Sequence, residues 1–206
     1  MSGWYAGFGK RLFDLIAGLI LFIVTLPLLA ITGLLVRMKL GRPVLFRQER
    51  PGRAGRSFTL AKFRTMLPAT TQTVSSEDDA ARMTGFGRAL RATSLDELPE
   101  LYSVIKGDMS LVGPRPLLTE YLPLYSPEQA RRHEVRPGLT GLAQVSGRNA
   151  VNWPERLAMD VWYVDNLTLK LDLSILWKTV RAVVKREGTS AEGQATMAPF
   201  EGNDDD

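Results

Sequence analysis

The strongest pattern in the chain is an uncharged apolar run over residues 15–36, bracketed by Lys10 and Arg11 before it and by Arg37, Lys39 and Arg42 after it. Its length matches the roughly 20 apolar residues that a helix needs to cross a bilayer. Thr25 and Thr32 are its only hydroxyl residues, so it lacks the polar face of a helix lying on a soluble core. The run predicts membrane insertion. Basic flanks on both sides favour the cytoplasm for both ends, and Pro27, near the middle, removes one backbone hydrogen bond. A helix bent there could dip into one leaflet and return, with Thr25 bonding a carbonyl one turn back. A kinked spanning helix is the alternative.

After the run, period and punctuation predict a small mixed domain. Residues 43–46 and 57–60 read as short strands around a turn at 50–55. Residues 68–79 have no apolar period and read as a surface loop; residues 82–92 regain helical character. Ser94 and Glu97 have capping-box spacing. That would put Asp96 beside the positive end of a helix dipole, where a carboxylate stays ionised. Leu98, Leu101, Tyr102 and Ile105 continue this amphipathic helix up to a stop at Gly107. Residues 125–134 read as a helix capped by Ser126 with Pro127 at its first position. Two more helices follow, over 153–164 and 171–184. The second carries an apolar stripe of Leu173, Leu176, Trp177 and Val180, suited to a core or to a membrane interface. The acidic ending, 201–206, predicts disorder.

Composition narrows the chemistry. The chain has no cysteine, which excludes disulfides, thiolate catalysis and cysteine-ligated zinc. Its one histidine, His133, excludes a multi-histidine metal centre and reads as a surface or hydrogen-bonded residue. The net charge of +4 is modest but unevenly spread. Between residues 37 and 64, Arg37, Lys39, Arg42, Arg47, Arg50, Arg53, Arg56, Lys62 and Arg64 face only Glu49. Such a cluster beside a membrane attracts anionic headgroups, by about 1 kcal/mol per residue. Lys62 and Arg64, further along, could instead meet a substrate phosphate.

The candidate site is the adjacent pair Asp96 and Glu97. Arg88 and Arg91 deliver positive charge just before it. Arg115, held between Pro114 and Pro116, suits a bidentate grip on phosphate or carboxylate, though a surface arginine in a proline turn fits as well. Arg148 is a further candidate for a phosphate or base contact, and Asp160 shares a helix face with Tyr163. No Gly-x-Gly-x-x-Gly or Walker loop and no Gly-x-Ser-x-Gly elbow is present. Arginines around paired carboxylates suggest a polyanionic substrate handled with a divalent cation, since carboxylates plus substrate phosphates are usual magnesium ligands. Plain salt bridges and a helix cap account for the same residues without any chemistry.

Six motifs in order resemble the bacterial sugar transferase family, the monotopic polyprenyl-phosphate phosphoglycosyl transferases. They are Lys10-Arg11-Leu12-Phe13-Asp14, Lys62-Phe63-Arg64-Thr65-Met66, Ser94-Leu95-Asp96-Glu97-Leu98-Pro99, Lys106-Gly107-Asp108-Met109-Ser110, Val112-Gly113-Pro114-Arg115-Pro116 and Arg136-Pro137-Gly138-Leu139-Thr140-Gly141. The length resembles the minimal members, and Glu192-Gly193-Gln194-Ala195-Thr196 resembles the bacillosamine-type enzyme that initiates N-linked glycan assembly.

The resemblance implies an α/β fold: a re-entrant membrane helix over about residues 12–37, amphipathic interfacial helices, and a small, mostly helical cytosolic domain with short strands. It divides the chain into an anchor (1–40), a catalytic domain (41–188) and a tail (189–206). The implied reaction moves a sugar-1-phosphate from a UDP-sugar to a polyprenyl (undecaprenyl) phosphate with release of UMP, at the cytoplasmic face of the bacterial inner membrane. Asp96 would be the nucleophile, and Glu97 would assist with Mg2+ or proton transfer. Lys62, Arg91, Arg115 and Arg148 would hold phosphates or the nucleotide, with Asp160 in support. The implied partners are the donor, the lipid acceptor and an anionic membrane, with no nucleic acid. One departure stands out: the family's kink commonly reads Ser-Pro, whereas Leu26 precedes Pro27 here, so Thr25 would have to take the serine's part. A non-catalytic adaptor of the same fold, a hydrolase, and direct ternary-complex transfer are the rival readings.

Overall fold

The structure is a computed structural model that describes residues 4–68, 82–146, 151–185 and 199–203. A π-helical turn, Tyr5–Gly9, leads into the apolar helix α1 (Lys10–Leu40), which runs unbroken through Pro27. Thr25 Oγ1 donates to the carbonyl of Leu21 at 2.7 Å, the back-bond expected of a hydroxyl on a helix without water. Most of the middle of α1 is bare: Ile20, Ile23, Val24, Leu26 and Ile31 are all exposed. It is the one helix among the described residues long and apolar enough to cross a membrane, and the protein is membrane-associated.

Both ends of α1 pack on the same domain. At the first end, Lys10 Nζ meets Asp172 at 2.7 Å, and Asp14 accepts hydrogen bonds from the Ser110 hydroxyl and the Leu111 amide. Arg11 donates to the carbonyls of Val104 and Ile105. At the other end, Val36 and Leu40 enter a small core with Phe63 and Leu90, and Arg64 donates to the Leu40 carbonyl.

The domain is mostly helical with short strands. β1 (Leu45–Pro51) and β2 (Ser57–Phe63) form an antiparallel hairpin: the second expected strand runs three residues further, the first begins at 45 instead of 43 and extends into the expected turn, and Arg50 and Lys62 both lie in strand. α2 (Gly85–Ala92) follows, its first turn capped by Thr84, whose hydroxyl accepts from the Gly87 amide. α3 (Leu101–Lys106) ends at Gly107, whose φ of +99° is the left-handed stop that glycine tolerates. β3 (Ser110–Val112) pairs in parallel with β4 (Gly138–Thr140). α4 (Pro127–Ala130) opens with a Ser126–Gln129 capping box and passes into a 3-10 turn, Arg131–Glu134. α5 (Leu142–Ser146), α6 (Trp153–Asp165) and α7 (Leu169–Lys185) complete the domain. The main core joins Phe58, Leu101, Val104, Met109, Leu111, Tyr163 and Ile175. His133 is half-buried, and its Nδ1 meets the Gly52 carbonyl.

Two expectations change here. The stripe of α7 divides: Leu173, Val180 and Trp177 are exposed, Trp177 by 70%, while Leu176 packs against the main core and Asp172 and Ile175 turn inward. Buried Asp172 is held by Lys10, Tyr5 and Tyr163. This leaves an interfacial role for Leu173, Trp177 and Val180. The ending is also not wholly without order. Phe200 is buried among Leu117, Tyr121 and Leu157, edge-on to Tyr121 and stacked on Tyr125, and Asn203 bonds Gln129. An aromatic anchor therefore outweighs the acidic composition around it. The loop expected at 68–79 lies almost wholly outside the described residues.

Candidate active site

The segment carrying Asp96 is not the capped α-helix that its spacing suggests. Ser94 takes a left-handed conformation (φ +55°) and makes no side-chain cap; its amide closes the end of α2 on the Arg91 carbonyl. It is the reversing residue between two helical pieces, not the N-cap of one. Leu95–Glu100 is then a 3-10 helix that tolerates Pro99. Side chains three apart eclipse in such a helix, which aligns Glu97 with Glu100 and turns Asp96 away into the interior.

The three carboxyls consequently sit in different fields. Asp96 is 4% exposed, and its pKa is raised, first by burial and then by the charge of Glu97, against the pull of Lys62 and Arg91. The expected aid from a helix dipole is therefore not what sets this carboxyl: burial pushes its pKa up. For Glu97, burial opposes ionisation, but the charge and hydrogen bond of Arg115, with Lys62 and Arg91, hold its carboxyl below the usual range. The Arg115–Glu97 contact is 2.6 Å. Glu100, 5% exposed, is pushed up to about 8 by burial and by the charge of Glu97.

A raised folded pKa favours the neutral acid. Glu100 therefore contributes stability that is fully present below its ordinary 4.5 and is lost as pH rises towards about 8. Glu100→Gln is expected to make the fall of the urea midpoint across that window shallower. A slope unchanged by the substitution would contradict the placement of Glu100.

The cations come from four elements. Lys62, on β2, lies over the Phe46 ring; burial and the neighbouring Arg115 lower its pKa. Arg91, in the last turn of α2, donates from Nε to Thr65 Oγ1 at 3.1 Å. Arg115 sits in the proline turn after β3, and its carbonyl accepts from Arg132 at 2.7 Å. Arg132 in turn grips Asp160 through two nitrogens, at 3.1 and 2.7 Å. Asp160 thus reaches the site through Arg132 and Arg115, not by touching Asp96. Arg148 lies outside the described residues.

Two cavities meet at Arg115. The larger, about 540 Å³, has apolar walls from Leu21 of α1 and from Leu176, Val180 and Val183 of α7, with Thr25 among them. The same cavity is also lined by Arg91, Arg115, Arg132 and Arg156, with Glu97 and Asp160. The smaller, about 260 Å³, is lined by Arg50, Lys62, Glu100, Arg115, Tyr121 and Trp153. Asp96 lines neither. Thr25, expected only at the kink, is also part of a cavity wall.

Arg132 and Glu100 were not legible as site residues. Arg132 sits in a run, Arg131-Arg132-His133, that reads as solvated charge, and Glu100 joins Glu97 only because the helix is 3-10. Among the described residues, no group of three or more histidine, cysteine or acidic side chains is arranged to hold a metal. A magnesium ion shared with substrate phosphates needs fewer, one or two carboxylates. Asp96 and Glu97 fit that smaller demand, because the like-charge contact that raises Asp96 is one a divalent cation relieves.

An exposed apolar helix, a cavity lined by apolar side chains and arginines, and carboxylates set among those arginines fit a membrane-associated protein that handles anions. Residues 5–186 match the family model for bacterial sugar transferases. The chain is 51% identical over 196 residues to the uncharacterized sugar transferase EpsL of Bacillus subtilis (strain 168), covering 95% of this chain and 97% of that protein. It is 42% identical over 188 residues to the UDP-glucose:undecaprenyl-phosphate glucose-1-phosphate transferase of Caulobacter vibrioides, covering 85% of this chain and 69% of the relative. To the undecaprenyl-phosphate galactose phosphotransferase of Salmonella typhimurium it is 39% identical over 198 residues, 88% of this chain but only 41% of that longer protein. The chain belongs to the bacterial sugar transferase family, and it is an enzyme. The stretch that resembles the bacillosamine-type enzyme, 192–196, lies outside the described residues.

Proposed function

We propose that this protein is a phosphoglycosyl transferase that moves a sugar-1-phosphate from a UDP-sugar to undecaprenyl phosphate, giving a polyprenyl-diphosphosugar and UMP. The observation that carries this reading is the larger cavity: a space lined both by apolar side chains of α1 and α7 and by four arginines fits an isoprenoid chain terminated by a phosphate. Relatives named as transferring galactose phosphate, glucose-1-phosphate and N-acetylgalactosamine phosphate to undecaprenyl phosphate support the reaction class. The smaller, more polar cavity across Arg115 suits the nucleotide donor.

In this reading Asp96 attacks the phosphorus nearest the sugar. A new P–O bond forms, the bond to UMP breaks, and UMP leaves with the electron pair. The acceptor phosphate then attacks the same phosphorus and returns Asp96 as a carboxylate. Burial leaves the ionised Asp96 poorly solvated, which makes it the more basic and more reactive carboxylate of the pair. Lys62, Arg91 and Arg115 offset the charge of the diphosphate, and Arg148 is assigned the same task. Asp160 holds Arg132, which fixes the turn of Arg115. Asp96 and Glu97 would hold Mg2+, which supplies charge neutralisation at the diphosphate when bound. Glu97, kept ionised, is suited to this or to proton transfer.

The test supplies UDP-glucose, UDP-galactose and UDP-N-acetylgalactosamine separately, with magnesium and undecaprenyl phosphate in detergent. UMP and a lipid-linked sugar in equal amounts are expected with at least one donor. Sugar phosphate released to water without lipid product would indicate a hydrolase, and no turnover a non-catalytic adaptor.

The helix α1 is read as re-entrant, with the domain at the cytoplasmic face of the inner membrane. What supports this is the packing of both its ends on one domain and the basic flanks on both sides. The cysteine-free chain makes the check direct. Single substitutions Phe8→Cys and Met38→Cys, both at exposed positions, are expected to label from the cytoplasmic side of sealed vesicles. Labelling of the two from opposite sides would mean a spanning helix.

A further inference from the structure

A third cavity, about 550 Å³, lies between the β1–β2 turn and the end of α3, and shares no lining residue with the two at Arg115. Arg53 and Arg56 of the β1–β2 turn line it together with Arg136, which is distant from them in sequence. Two of these guanidiniums are held in place by backbone carbonyls. Arg53 Nε donates to Glu134 at 3.0 Å and Arg136 Nε to Gly107 at 2.8 Å. Among the described residues no carboxylate is within ion-pair distance of any of the three. The one carboxylate in the lining, Asp108, is paired with Lys106 at 2.8 Å. Burial, with the charges of Arg11 and Arg53, lowers the pKa of Arg136, as expected for cations gathered without a counter-charge.

The cavity also has a defined position. Arg11, in the first turn of α1, stands beside Gly107: a Cβ there would be 3.2 Å from its guanidinium. The arginines therefore gather at the end of the apolar helix, next to exposed Phe8 and Leu12. Three guanidiniums with free terminal nitrogens are a match for phosphate oxygens. We propose that this cavity binds a phosphate-bearing anion, and that its occupant is the headgroup of an anionic phospholipid. It would seat the domain on the membrane at a place separate from the two cavities at Arg115, independently of the transferase reading.

The experiment uses the full chain in nanodiscs of phosphatidylcholine, with and without an equal part of phosphatidylglycerol, and reads the melting temperature. Wild type is expected to melt higher with phosphatidylglycerol, since a ligand of the folded state stabilises it. The double variant Arg53→Gln/Arg56→Gln is expected to lose most of that gain while melting like wild type in phosphatidylcholine alone. Each arginine removed should weaken the apparent lipid affinity about fivefold. Lys39→Gln/Arg47→Gln removes equal charge at exposed positions outside the cavity, acts only through the diffuse attraction of the basic surface, and is expected to keep clearly more of the gain than the cavity variant. An equal loss in that control, or no gain in wild type, overturns the proposal. Inorganic phosphate added to phosphatidylcholine discs separates the sources: if it alone reproduces the gain, the lipid assignment is overturned in favour of a free anion.

Discussion

Asp96→Asn lowers sugar-phosphate transfer by at least about 10⁴-fold, the scale on which removal of a nucleophile acts, and leaves the fold intact. The two halves of this expectation have one cause. Asp96 is buried beside Glu97, so its folded pKa is raised and its neutral form is the one the fold prefers. Stability from such a group is lost as pH rises through the raised value. Asparagine, always neutral, therefore gives a protein at least as stable as wild type at neutral pH. A variant that keeps its urea midpoint and loses turnover separates chemistry from folding. The same raised pKa predicts that wild-type transfer climbs with pH as Asp96 ionises. Glu97→Gln should act more mildly, by about 10²- to 10⁴-fold, the range for assistance by a positioned acid or base. Turnover that survives Asp96→Asn would remove Asp96 from the mechanism.

Arg132→Leu carries the largest expected effect on stability, a loss of about 3–5 kcal/mol. The Arg132 and Asp160 side chains are only 1% and 4% exposed. Taking away the arginine leaves a buried carboxylate without its partner and frees the Arg115 carbonyl. Asp160→Asn keeps an acceptor for Arg132 and should cost less. Replacing both partners by leucine should recover stability relative to Arg132→Leu, because the stranded charge is gone. It should not recover transfer, because nothing then fixes the turn carrying Arg115. Urea midpoints and initial rates measured on the three variants test the two statements separately. Equal stability of Arg132→Leu and wild type would contradict the buried pair.

What could be read from the sequence depended on how local the determinant was. The apolar helix was legible because its run of residues admits no soluble alternative, and Gly107 and the Ser126 cap were legible because each acts on its own turn. The pairing of carboxylates with arginines was legible as composition, but not as geometry. Ser-x-x-Glu is the signature of a cap; here α2 ends at Ala92 and the reversal after it holds Ser94 in a left-handed conformation, so Glu97 turns to Arg115 instead of the backbone. The eclipsed Glu100 follows from that same 3-10 turn. Arg132 and Phe200 depend on partners 28 and tens of residues away, and no local period announces such contacts. The stripe of α7 had spacing that suited a core or a membrane interface alike, and the turn of buried Asp172 towards Lys10 and Tyr163 decides which of its residues face out.

The central claim is that Asp96 carries the phosphosugar between donor and acceptor. The most direct measurement incubates the protein with magnesium and each UDP-sugar labelled in the sugar-linked phosphate, without lipid, and records the intact mass after denaturation. A mass increase of one phosphosugar, accompanied by about one equivalent of UMP, is the expected result from covalent catalysis. The adduct should be absent in Asp96→Asn and discharged by undecaprenyl phosphate. Product formation with lipid, with no adduct from any productive donor and no burst of UMP, would contradict the covalent step and point to direct transfer in a ternary complex.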